Sequence, residues 1–472
     1  MRKSAALLLV LVFLTASCTM AAKPAFSSAD IVEDSWTSKA SMQVARGGLG
    51  VAAVNGKIYA IGGNTQSGLY PALVNGEFVG TNEEYDIATD TWTTKTPMPT
   101  SRAFFAIVVY QNKIYCIGGI IGIGQGFYDG TSILLPMRIL SGVNEVYDPA
   151  TDTWENKTAA PVAGMMMKAA VLNGKIYLID GNLNEVYYPT SDTWTTKAPP
   201  PISFEDFGPA GGNDYDLVVF DNKLHVAGVF SQQLITYNEE TDSWSQGTTM
   251  PAGDYYYIAV GMTTGVMAPK RLYFLFAVRG SSTAVNQAYD PRSSLWVTGK
   301  SIPTNRCDFG AAVVNDKLYA IGGYTSIPYP SGYFATSAVN EQYTPMGYGT
   351  VPPIVDVVLP EKQTYNSTNV SLVFTVNKPV NWTGYSLDGQ DNVTVTGNTT
   401  LSGISNGLHN VTVYARDELE NTGASETISF SVEVPFPTAL VAATVVAIVA
   451  TGSGFSAVYY LRKRKNKHPT PP

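Results

Sequence analysis

Arg46, Arg102 and Arg306 each stand eleven residues ahead of a lysine that opens an apolar run (Lys57, Lys113 and Lys317). A guanidinium is planar, always charged, and grips a carboxylate through two parallel hydrogen bonds. Three of them in one register could clamp an acidic or polyhydroxylated ligand. Carboxylates occupy comparable points elsewhere: Glu205, Asp206 and Asp254, with Asp308 two residues after Arg306. Glu205 or Asp206 could serve such a ligand as general acid–base. The alternative is that the arginines tie neighbouring loops of the chain together, and the residue types alone leave both readings open. No zinc-ligand spacing, nucleophile elbow or phosphate loop occurs, so no metal and no cofactor is expected.

These groups are carried by a repeat. Five times a tyrosine is followed seven residues later by a tryptophan: Tyr85/Trp92, Tyr147/Trp154, Tyr187/Trp194, Tyr237/Trp244 and Tyr289/Trp296. The text between is close to YDxATDTW. Upstream lies a second motif, NGKIYAIGG at 55–63 and QNKIYCIGG at 111–119, with further copies at 173–181, 221–229, 270–280 and 315–323. A polar turn, a short apolar strand and a glycine stop make a hairpin signal. One unit therefore reads as four strands, and such a unit buries its faces only against neighbouring copies.

The Gly-Gly doublet, the Tyr-Asp step and the fixed Tyr-to-Trp distance resemble the kelch family over about 36–349. That resemblance implies a β-propeller, with the doublet decaying to Asp180-Gly181, Ala227-Gly228 and Arg279-Gly280 in three blades. It leaves function open, because kelch propellers include enzymes and pure binding modules. Among kelch enzymes, the copper oxidases need paired histidines. The repeats hold one, His225, at a framework tyrosine position.

Six second strands but only five Tyr-to-Trp hairpins are present. The last unit has Tyr343 but no tryptophan after it. The segment DSWTSKASM at 34–42 has a tryptophan strand with no tyrosine strand before it. The economical reading is that 34–42 completes the sixth blade. The expected fold is therefore all-β: a six-bladed kelch-type propeller over 34–349, closed by an N-terminal strand. A small Ig-like β-sandwich stalk over 352–434 follows, resembling stalk domains of microbial surface proteins in NWTGYSLDG and GLHNVTVYARD.

The ends suggest a membrane address. Residues 1–22 read as a signal peptide, with Arg2 and Lys3 ahead of an apolar run. The uncharged stretch 438–461 is long enough for a transmembrane helix. The basic tail 462–472 would lie in the cytoplasm, giving a single-pass type I surface protein. Setting aside two leader and five tail cations leaves 23 basic against 38 acidic residues, net −15. That balance argues against nucleic acid as a partner. Seven N-x-Ser/Thr sequons occur, at Asn156, Asn366, Asn369, Asn381, Asn392, Asn398 and Asn410. Six of them crowd the stalk, which suggests glycosylation.

From the second-strand glycine to the next tyrosine, blades one, two and six carry 22, 28 and 20 residues, against 6 to 9 elsewhere. These three blades are consecutive around a ring, so their loops should rise as one wall, rich in aromatics such as Tyr128 and Tyr324. The expected function is a cell-surface binding or adhesion module for an extracellular glycan or protein. The alternative is an extracellular sugar-processing enzyme similar to kelch mutarotases of sialic acid.

Overall fold

The computed structural model describes residues 31–69, 77–128, 134–180, 183–201, 215–228, 232–253, 255–278, 284–326, 333–435, 449, 453–459 and 461–463. Between Ser35 and Thr344 these residues include six separate four-stranded antiparallel sheets. Blade one is typical: Gly50–Val54, Lys57–Ile61, Asn82–Asp86 and Thr91–Lys95, in that order from the axis outward. Among the described residues no ladder joins the four-stranded sheet of one blade to that of the next. Instead the first strand of each blade packs on the first strands of both neighbours, and blade six packs on blade one, so the blades form a ring.

Blade six consists of Gly310–Val314, Lys317–Ile321, Asn340–Thr344 and, from the other end of the chain, Ser35–Lys39. Trp36 lies opposite Tyr343 in this ladder, as Trp92 lies opposite Tyr85 in blade one. The half-blade at the start of the repeats thus supplies the strand missing at their end, and the sixth blade has no bare outer edge there.

Neighbouring blades are joined by a repeated clamp, which gives the TDTW text its reason. In Thr-Asp-Thr-Trp the aspartate sits at positive φ (+55° at Asp90), a conformation Asp tolerates better than most residues. Its Oδ1 accepts the tyrosine hydroxyl of its own hairpin: Tyr85–Asp90, Tyr147–Asp152 and Tyr187–Asp192 at 2.6 Å, and Tyr237–Asp242 at 2.7 Å. The same oxygen accepts a backbone N–H from the preceding blade, as Ala40 N to Asp90 at 2.9 Å. The tryptophan Nε1 then donates to a carbonyl of that blade, as Trp154 to Thr96 O and Trp194 to Thr158 O, both at 2.9 Å. Asp34 and Trp36 do the same between blades five and six, through Lys300 N and Lys300 O. The second glycine of the doublet has φ +111°, +104° and +96° at Gly63, Gly119 and Gly323, a region closed to side chains.

Residues 355–432 form two further sheets. One holds Val355–Leu359, Val370–Val376 and Thr399–Leu401; the other is built on Gly407–Arg416 and Trp382–Leu387. They enclose one core that includes Leu372, Val411, Val413 and Val432, all fully buried. Two sheets around a core is sandwich geometry; kinship to immunoglobulin-like domains does not follow from it. All seven sequon asparagines are exposed.

The membrane address is corrected. Among the described residues no helix is long and apolar enough to cross a membrane. Within 438–461, helix is described only at 449, 453–459 and 461. Seven consecutive residues give about 10 Å of helix, against roughly 30 Å of hydrocarbon. The rest of that stretch, most of the 462–472 tail, and the expected signal peptide at 1–22 lie outside the described residues. The described residues therefore do not support a single-pass surface protein.

Candidate functional site

The three arginines point into the blades. Arg46, Arg102 and Arg306 are at most 1% exposed. Arg102 Nη1 meets Glu145 at 2.5 Å and Nη2 donates to Cys116 O at 2.9 Å. Arg306 meets Glu341 at 2.5 Å and Ala320 O at 2.6 Å. Arg46 pairs with Glu83 and donates to Ala60 O at 2.8 Å. Burial pulls Arg46 and Arg306 below the ordinary arginine range, and their glutamates pull back. Each guanidinium ties the approach to the first strand onto the second and third strands of its own blade. With both faces spent inside the protein, none presents a free fork to a ligand.

Two residues beyond each arginine the chain turns through the left-handed region: Gly48, Phe104 and Asp308, with Met166 at the corresponding point of blade three. These turns are stitched in sequence around the axis. Gly48 N donates to Asp308 O at 2.9 Å, Phe104 N to Gly48 O at 2.8 Å, and Met166 N to Phe104 O at 2.7 Å. Tyr215 of blade four donates its hydroxyl to Met166 O at 3.1 Å. The stitched turns rim an axial cavity of about 200 Å³, walled by Phe104, Phe105, Met166 and Phe309.

Three polar groups project into it beside Asp308. Lys168, Asp216 and Tyr257 come from the first strands of blades three, four and five. Lys168 Nζ lies 3.8 Å from Asp216 Oδ1. Asp216 is held in place by Val260 N at 2.7 Å and Leu217 N at 2.9 Å. Tyr257 is buried and donates to Phe309 O. Burial pushes the Asp308 carboxyl up to about 6, while Lys168 draws it back down. Burial, and after it the charges of Asp308 and Asp216, raise the Tyr257 phenol. The four groups therefore feel one another across the axis.

The sequence carried a signal for this cluster. In the register seven residues before the turn lysine, blades one, two and six have Gly50, Ala106 and Gly310. Blades three and four have Lys168 and Asp216. A charge in a line of small residues that otherwise face the neighbouring blade marks the site, and motif reading passes over it.

The long loops stand on the same face as the rim. Gly47 bridges Asn64, Ala103 bridges Ile120, and Cys307 bridges Tyr324, so each loop leaves beside the start of a first strand. Blade six's loop folds back as Tyr324–Ser326 and Tyr333–Thr336 and pairs with Gly68–Leu69 of blade one. Blade two's loop forms its own hairpin, Ile120–Tyr128 with Leu134–Leu140, and exposes Met137 and Ile139. Tyr128 closes the first of those strands. Tyr324 is 2% exposed, and its ring fills the space over Gly47, where a Cβ would lie 2.2 Å from it. Glu205, Asp206 and Asp254 lie outside the described residues.

The kelch motif is the family model that the chain matches, over residues 45–99 and 305–334. The chain is 23% identical over 301 residues to Kelch-like protein 23 of Homo sapiens, covering 63% of this chain and 39% of that one. It is 29% identical over 154 residues to Kelch-like protein 25 of Xenopus tropicalis, covering 32% and 24%. It is 41% identical over 78 residues to the influenza virus NS1A-binding protein homolog of Xenopus laevis, covering 16% and 11%. The matched part thus spans well under half of these relatives. The solved structure of YjhT superposes with a TM-score of 0.46 at 15% identity, covering 64% of this chain and 96% of that one. Six four-stranded sheets in a ring define the class: the described residues between 35 and 344 form a β-propeller, with kelch motifs matched in its first and last blades.

Proposed function

We propose that the propeller is a protein-binding module that receives a loop or extended segment of a partner at the mouth of its axial cavity. The observation that carries this reading is the convergence of Lys168, Asp216, Asp308 and Tyr257 in a cavity overlooked by the three long loops. A concave recess with a few convergent, fixed polar groups is a usual form of recognition site, and loops on a rigid scaffold supply its rim. The kelch-like relatives are in keeping with a binding role. The test is to pan a displayed-peptide library against the full chain. Enriched peptides should lose at least tenfold in affinity on Lys168→Gln or Asp308→Asn, with melting temperature held. A library that enriches nothing, or peptides indifferent to both substitutions, would count against the proposal.

One observation favours a second reading, a sugar-processing enzyme. Asp308, pushed up to about 6, is poised to exchange a proton near neutrality beside a lysine that could hold a substrate carboxylate. Anomerisation of N-acetylneuraminate, followed by NMR and abolished by Asp308→Asn, would support it. No acceleration over buffer by the unmodified protein would end it.

A further inference from the structure

A second recess lies on the opposite face, between the propeller and the 355–432 unit. It is about 270 Å³ and is walled by Ile31, Met267, Tyr348, Pro379 and Leu419, with Lys317 in its side. Its walls are fixed. Gly349 N donates to Met267 O at 2.6 Å, and Asn421 Nδ2 donates to Gly349 O at 2.7 Å. Lys378, 2% exposed at its side chain, is held by Asp417 Oδ2 at 2.8 Å and by Val351 O. A recess with so many cross-links is preformed and needs little ordering to accept a ligand.

Its charge is unbalanced by design of the repeat. The lysine of the second-strand turn pairs with an acid in blades one, two and three: Lys57 with Asp86, Lys113 with Asp148 at 3.1 Å, and Lys175 with Glu239. In blade six the residue matching Asp86 and Asp148 is Thr344. Among the described residues no carboxylate lies within ion-pair distance of Lys317. Its ammonium instead sits 4.9 Å from the Tyr348 ring centroid. The other ionisable groups around it do not pair with it: Lys39 repels it, Asp316 is taken up by the backbone N–H groups of Thr264, Val266, Met267 and Ala268, Asp417 is committed to Lys378, and Glu418 is exposed. Burial accordingly weakens its hold on the proton.

We propose that this recess is a binding site for a small amphipathic carboxylate, its acid group on Lys317 and its apolar chain against Met267, Ile31 and Leu419. The site is independent of the axial mouth. A half-buried cation without a counter-ion is stabilised by an anion, and a charge-assisted bond formed there is worth more than in open water. Apolar walls add the hydrophobic term for a short chain.

The test is calorimetric titration of the full chain with sodium octanoate, sodium acetate and octylamine hydrochloride. Octanoate should bind saturably at one site, acetate at least tenfold more weakly, and octylamine without saturation. Lys317→Gln should weaken octanoate at least tenfold. Lys113→Gln, at the matching position of blade two, should leave it unchanged and controls for folding. No saturable octanoate binding, equal binding of octanoate and octylamine, or an affinity that Lys317→Gln leaves unaltered would overturn the proposal.

Discussion

Five of the six seams between blades are built alike, and the seam between blades four and five is not. At the five, an aspartate accepts from a tyrosine and from the neighbouring backbone, and a tryptophan indole donates across. A tyrosine of each second strand also meets the tyrosine of the next blade at 5.7–6.1 Å. Between blades four and five all of this is gone. Ser294 replaces the aspartate, the buried Trp296 Nε1 has no partner among the described residues, and His225 replaces the tyrosine. Blade four's outer strand is only Ser243–Ser245. In exchange blade five gathers its own rings toward the seam, Phe274 against Trp296 at 5.0 Å and Tyr255 stacked on Phe276 at 4.0 Å, in one apolar cluster with Val218, Leu234 and Met250 of blade four. A seam can thus be joined by the tyrosine–aspartate–tryptophan clamp or by apolar packing in its place. The difference shows that the repeat's polar text is one solution to blade contact rather than a condition of the fold.

The largest effect should come from the packed seam. Phe274 is fully buried, so Phe274→Ala should lower unfolding free energy by about 3–5 kcal/mol in a denaturant titration. Next is the clamp. Asp192→Ala strands the Tyr187 hydroxyl and Thr158 N–H, and should cost about 2 kcal/mol. Ser294→Ala should change stability by less than about 0.5 kcal/mol, because no clamp depends on it. Equal losses for these two variants would erase the comparison. In the other direction, Ser294→Asp supplies the missing acceptor at a residue already at φ +57°, and should stabilise by about 1 kcal/mol.

The smallest effects are in pH. His225 is buried with its pKa drawn down to about 4, chiefly by desolvation. Its neutral form is favoured in the fold, so its contribution is whole above about 6.5 and is lost as pH falls from there toward 4. His225→Tyr should remove that slope. His409 in the 355–432 unit runs the other way. Its bond to Asp388 at 2.8 Å raises its pKa, so its contribution is whole below about 6.5 and fades as pH rises through its folded value. Melting curves at pH 5 and 8 for His225→Tyr and for His409→Gln separate the terms by sign.

The Tyr-to-Trp spacing and the half-blade at Trp36 made the ring legible in the sequence, because each aromatic pair is local and repeated. Loop lengths likewise marked which blades carry the wall. The site was less legible. Arg46, Arg102 and Arg306 looked like ligand groups because their glutamates lie 35 to 43 residues downstream, on the third strand of the same blade, and only folding brings them to the guanidinium. Lys168 and Asp216 are 48 positions apart and become neighbours through the turn of the ring. The membrane address failed differently, since length and hydropathy of 438–461 were read without a described helix of matching length.

The central claim is that recognition occurs at the axial mouth. Hydrogen exchange of the full chain, with and without a peptide selected from the library, tests it directly. Slowed exchange should concentrate at the starts of the first strands, residues 47–50, 103–106, 166–169 and 307–310. Protection confined to the outer strands or to the 355–432 unit, with these four segments unchanged, would contradict it.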